Sequence, residues 1–220
     1  TSDHSMTTSE SSSMEYTKAN ITAQSSKVRL SDSNTEEGLE LYCYNKCTNS
    51  EEEFIKNCRG LVFNDKDELI LKAYSYTPEY PDDNCDELRS ELGNDFSRYR
   101  FFDSHEGALL RVFYYNDKWF VTTHRKLNAF RSKWSSKESF GEMFKKAIEY
   151  EYTREGNAIK ERIGETENVY ESFLNSLDKN LKYIFLTRNT FENRIVCQAL
   201  ENDTVYSVGV FKQDHSFSIE

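Results

Sequence analysis

The chain has 220 residues, with 28 Lys and Arg against 38 Asp and Glu, and a formal net charge of −10 at pH 7. This length suits one domain with its own core. The acidic balance excludes a general nucleic-acid coat, because phosphate binding needs positive potential, and leaves room only for a local basic groove. No run approaches the roughly 18 apolar residues of a membrane helix, so no membrane partner is expected.

In chain order, residues 1–27 are dominated by Ser and Thr. They lack the basic start and apolar centre of a signal peptide and read as a disordered tail, with one globular domain over 28–220. Residues 38–44 (GLELYCY) alternate weakly and read as a first strand, and Phe54 is placed near the start of the sheet. Residues 59–64 and 68–74 form a hairpin around Asp65-Lys66-Asp67, closed by Pro78 and Pro81, and 82–98 is charged and partly helical. The strongest hairpin signal follows, Leu109 to Tyr115 and Lys118 to Thr123 around Asn116-Asp117. Phe140, Met143, Phe144, Ala147 and Ile148 share one helical face, with Ser135 and Glu138 as its capping box. A second helix spans Val169 to Leu177, after a polar connection at 152–165, and strands at 181–187, 194–199 and 204–211 finish the chain. The sum is an α+β domain, mostly antiparallel, with helices inserted between strands.

Five cysteines, Cys43, Cys47, Cys58, Cys85 and Cys197, are an odd number without framework spacing, which points to a reducing, cytoplasmic setting. Cys43 and Cys47 are four apart, but no second close pair completes a zinc site. A basic stretch with interleaved aromatics follows the central hairpin. His124, Arg125, Lys126, Arg131, Lys133 and Trp134 are its candidate RNA contacts, flanked by Lys118, Trp119, Phe120, Phe130 and Lys137. A solvated basic face is the plainer account of the same residues.

The turn Asp103-Ser104-His105-Glu106-Gly107 opens the central hairpin, and Gly107 permits a close backbone approach there. With Arg59-Gly60 before it, the segment 72–80 from Lys72, and Asn193-Arg194-Ile195-Val196 after it, the ordered set resembles the phage-type ATP-dependent RNA ligases of the covalent nucleotidyltransferase superfamily. It looks most like the divergent copies found in large DNA viruses, and the resemblance covers roughly residues 40–211. It implies a nucleotidyltransferase core (an ATP-grasp-like ligase adenylation domain), with ATP, Mg2+ and RNA as cofactors and partner. Arg59, Lys72, Glu106 and Gly107 would line the nucleotide pocket.

The family's chemistry needs a lysine to attack the α-phosphate of ATP, at the first position of Lys-x-Asp-Gly. Ser104 stands there, an unactivated hydroxyl, and neighbouring positions on an extended chain point apart, so His105 is poorly placed to serve as its base. Lys126 is a remote substitute. The family's later Glu-Gly and Lys-x-Lys strands have no counterpart after Val196, so the core reads as incomplete at its C-terminal side. Three readings stay open: an RNA end-joining or repair enzyme; a catalytically inactive ligase descendant that binds RNA, nucleotide or protein; and an unrelated acidic α+β interaction domain. The last would lack a cleft between Arg59, Lys72 and Glu106.

Overall fold

The computed structural model describes residues 14–72, 74–82, 85–133, 137–190 and 200–219. Two antiparallel sheets stand at its centre. The first has four strands in chain order: β1 (Val28–Asn34), β2 (Leu39–Tyr44), β3 (Arg59–Phe63) and β4 (Leu69–Leu71). The second contains β5 (Ala108–Tyr115), β6 (Lys118–Thr122), β7 (Lys182–Arg188), β8 (Thr204–Phe211) and β9 (Phe217–Ser218), ordered β6-β5-β7-β8-β9. Six α-helices, α1 (Lys18–Ala23), α2 (Glu53–Lys56), α3 (Asp86–Leu92), α4 (Phe140–Thr153), α5 (Ala158–Ile163) and α6 (Val169–Ser176), and two short 3-10 turns, Phe96–Arg98 and Ala129–Arg131, complete the described elements.

Burial sorts these elements into four layers. Ile21 of α1 and Phe54 and Ile55 of α2 pack on Tyr42, Tyr44, Leu61 and Phe63, one face of the first sheet. The opposite face offers Leu39, Leu41, Cys43, Val62 and Leu71, which meet Phe113 of β5 and Leu127. Strand residues alternate between faces, so Leu110 and Val112 of β5 point the other way, onto Phe144 and Ile148 of α4 and Phe173 and Leu174 of α6. One strand therefore serves two cores. The α+β reading holds, and every strand pair is antiparallel.

The central hairpin forms as the sequence predicts. Asn116 and Asp117 both have left-handed φ, +47° and +59°, the pair of values a two-residue turn needs to match strand twist. Its register sets Arg111 opposite Thr122 and Phe113 opposite Phe120.

Four expectations change. The stretch 14–27 is ordered: Thr17 caps α1, Ile21 is fully buried, and Tyr16 stacks on Phe54 at 5.0 Å, so a disordered tail does not reach residue 27; residues 1–13 lie outside the described part. The strand at 39–44 is the second, not the first. The capping box of α4 is Ser139 with Glu142, one turn later than predicted, and Ser135 lies outside the described residues. The connection 152–165 contains α5, which Asn157 caps through the Ile159 N–H at 2.7 Å. The predicted strand 194–199 and the Asn193-Arg194-Ile195-Val196 motif also lie outside the described residues.

Candidate functional site

The two sheets meet differently at the two ends of the layer between them. Toward Phe113 the layer is apolar. Toward Cys43 it is cationic: Arg125, Arg111, Arg59 and Arg29 all act on the buried Cys43 thiol, whose pKa burial nevertheless raises. Arg59 and Arg29 come from β3 and β1, the neighbours of Cys43 in the first sheet. Arg125 follows β6, in a turn where the Thr123 Oγ1 accepts the Arg125 and Lys126 N–H groups at 3.3 and 3.0 Å. Ser31 of β1 donates to the Arg125 carbonyl at 2.9 Å, which ties that turn to the first sheet.

Arg111 is the centre of this end. It is 2 % exposed, and its guanidinium donates to two backbone carbonyls, Gly60 O and Thr123 O, the latter at 2.8 Å. Its Nε is buried without a partner, as is the Nε of Arg59. Gly60 makes the approach possible: a Cβ there would lie 2.7 Å from Arg111 Nη2 and 2.8 Å from the His124 carbonyl, and its φ of +97° favours glycine.

Among the described residues, no carboxylate lies at ion-pair distance from Arg29, Arg59, Arg111 or Arg125. In a chain with ten more acidic than basic residues, that segregation is unusual. Burying a charge without a counter-charge costs several kcal/mol. Burial, with Arg59 adding to it, pushes Arg111 down to about 9, which leaves it charged at neutral pH. Burial, then Arg59, Arg111 and Arg125, holds His124 down at about 4, so it is neutral there and retains one N–H to donate. The ensemble forms an arginine cradle, with the buried charge of Arg111 innermost and Arg59, His124 and Arg125 partly exposed.

The other predicted site residues distribute elsewhere. Lys72 follows β4, with its ammonium 5.7 Å from the Tyr16 ring and near enough to His215 to help lower its pKa, after burial and Lys182. Gly107 serves packing: a Cβ on it would collide with the Thr187 carbonyl of β7, so the close approach it permits is to the protein's own backbone rather than to a ligand. Glu106 is half-buried beside it. Arg59 thus lies with Arg111, Lys72 with Tyr16 and His215, and Gly107 with Thr187. Ser104 is exposed, while the His105 ring stacks on Tyr206 at 4.4 Å and faces Arg188 through Nδ1 at 3.4 Å.

The basic stretch is likewise divided. His124 and Arg125 join the cradle, Lys126 is exposed, and Leu127 is buried between the sheets. Ala129 enters the helical core, leaving Arg131 and Lys133 exposed on that side; Trp134 lies outside the described residues. Lys118 pairs with Glu37, and Trp119 and Phe120 pack on the cores rather than offering stacking surfaces. Sequence reasoning missed Arg111. Its signal was a lone charge at the middle of an apolar strand, with buried neighbours on both sides. Lys182 was missed too: burial holds its amine below the usual lysine range.

The cradle suits phosphate oxygens. Among the described residues, no group of three or more His, Cys, Asp or Glu side chains is placed to hold a metal ion. No helix among them is long and apolar enough to cross a membrane.

No protein-family model matches the chain. It is 31% identical over 179 residues to an immediate-early protein ICP-46 homolog of Invertebrate iridescent virus 6, covering 76% of this chain and 36% of that protein. The homolog of Invertebrate iridescent virus 3 is 31% identical over 137 residues, 60% of this chain and 30% of its own length. Immediate-early protein ICP-46 of Frog virus 3 (isolate Goorha) is 33% identical over 102 residues, 46% of this chain and 25% of its own. These relatives are viral, and the chain spans about a third of their length or less.

Proposed function

We propose that this chain is an RNA ligase-derived domain that binds phosphorylated RNA or nucleotide and does not itself form a covalent adenylate. The observation that carries the reading is the cradle: Arg59, Arg111 and Arg125 gathered around Cys43, with no acidic partner among the described residues and a guanidinium nitrogen buried unbonded. Such an arrangement costs stability unless an anion completes it, and arginine forks match phosphate oxygens bidentately. Ser104 in place of the family's lysine removes the nucleophile, which leaves binding as the retained property.

The test is binding of a 5′-phosphorylated single-stranded RNA by the native chain and by R59Q/R125Q, over a range of salt. The reading expects binding that weakens with salt, competes with inorganic phosphate, and loses about tenfold or more in the double variant. Equal affinity in both proteins, or none in either, overturns it.

One observation favours the active alternative. Lys182 has an amine depressed by burial, the property an attacking lysine needs at neutral pH. Incubation with magnesium and ATP labelled at the α-phosphate separates the two: label that survives denaturation and maps to Lys182 establishes nucleotidyl transfer, and a folded chain that stays unlabelled leaves binding alone.

A further inference from the structure

The segment leading into the Ser104 turn reads Phe96-Ser97-Arg98-Tyr99-Arg100-Phe101-Phe102. Its four aromatic rings are exposed by 54, 39, 70 and 65 % in order. Single exposed apolar side chains need no explanation; four rings within seven residues form a patch, and such patches mark interaction sites.

The local structure explains why the rings stay outside. Asp95 caps a short 3-10 turn at Phe96–Arg98, accepting the Ser97 N–H at 3.0 Å and the Ser97 hydroxyl at 2.6 Å. Tyr99 is extended and donates from its hydroxyl to the Glu91 carbonyl at 3.3 Å, which moors the segment to α3. Phe96 and Phe101 lean on each other at 6.3 Å, and no described core cluster takes in any of the four rings. Arg98 and Arg100 are exposed between the rings, and no carboxylate among the described residues pairs with either.

Those two arginines decide the class of occupant. An apolar protein partner covering the rings would strip water from both guanidiniums without neutralising them, a costly arrangement. A single-stranded nucleic acid supplies both halves, flat bases for the rings and phosphates for the arginines. Spacing agrees: side chains two apart on an extended chain stand about 6.6 Å from each other, close to twice the contact distance of about 3.5 Å, so one base fits between Tyr99 and Phe101. We propose that residues 96–102 are a stacking ribbon for the bases of single-stranded RNA, with Arg98 and Arg100 on its phosphates. The proposal rests on the phosphate-binding reading of the cradle and adds where the strand lies, on residues outside the basic stretch at 124–134.

The experiment titrates a labelled single-stranded RNA of about 12 nucleotides against the native chain, F101A/F102A, R98Q/R100Q and R59Q/R125Q, with far-ultraviolet circular dichroism confirming that each is folded. All four substituted side chains of the ribbon are exposed, so the fold should persist. F101A/F102A is expected to weaken binding about tenfold or more while leaving the slope of log K against log salt unchanged. R98Q/R100Q is expected to lower that slope by about 1.4, two contacts at about 0.7 each on a single strand. Native affinity in both ribbon variants, alongside a loss in R59Q/R125Q, overturns the ribbon, leaves the cradle reading standing, and hands the patch to a protein partner. Absence of RNA binding by the native chain overturns both.

Discussion

The two ends of the inter-sheet layer are built by the same two sheets and differ in what fills them. At one end Phe113, Leu39, Leu41, Val62 and Leu71 exclude water and side-chain charge alike; at the other, Arg111 is just as deeply buried, with Arg59 and Arg125 beside it. The apolar end is accounted for by folding alone, since burial there is favourable by about 25 cal/mol per Å². Folding does not account for the arginine end. Buried guanidiniums without counter-charges are maintained against their own desolvation, and a ligand that completes them gives a reason for their presence.

The largest expected effect lies at the apolar end. Phe113→Ala should lower unfolding free energy by about 3–5 kcal/mol in urea, with phosphate affinity per folded molecule held within about twofold; a large loss of affinity would mean that the two ends are one unit. Next is Gly60→Ala, at the contact between Arg111 and the backbone. Overpacking should cost about 1–3 kcal/mol, with strain from left-handed φ added, and should abolish the rise in melting temperature that phosphate is expected to give the native chain. Arg59→Gln should sharpen the comparison, lowering phosphate affinity about tenfold, or about 1.4 kcal/mol, and changing urea stability by no more than about 0.5 kcal/mol.

The last effect is spread along the pH axis. His124 is held neutral with its folded value depressed to about 4, so between the ordinary value of 6.5 and that point the unfolded chain takes up a proton that the folded chain refuses. Stability present above pH 6.5 is therefore lost as pH falls through that window. His124→Gln should flatten the urea midpoint between pH 6.5 and 4 by a slope under about 1.4 kcal/mol per pH unit, and an unchanged profile would place His124 outside the cationic field.

The hairpin and the long helix were legible because their signals are local: a turn pair able to adopt left-handed φ, and one apolar stripe at helical spacing. β1 was not, because Val28–Asn34 is an edge strand of mostly polar residues with one buried position, and leaves no alternation to read. The capping box was ambiguous by four residues, since Ser135 with Glu138 and Ser139 with Glu142 fit one pattern and only the approach of Phe130 to Gly141 and the packing of Met143 fix where α4 starts. Arg59, His124 and Arg125 were legible as basic residues. Their assembly around Arg111 was not, because it joins β1, β3, β5 and the turn after β6, positions brought together by sheet packing alone.

β5 presents Leu110 and Val112 to the helices and Arg111 and Phe113 to the first sheet. Adding or deleting a single residue in the strand would exchange these roles, setting a guanidinium against Phe144 and an aliphatic side chain beneath Gly60. The Asn116-Asp117 turn at its end is the splice that fixes the count. Inherited variation in this hairpin should thus tolerate a change of side chain far better than a change of length, and the turn, though no part of the cradle itself, guards its reading frame.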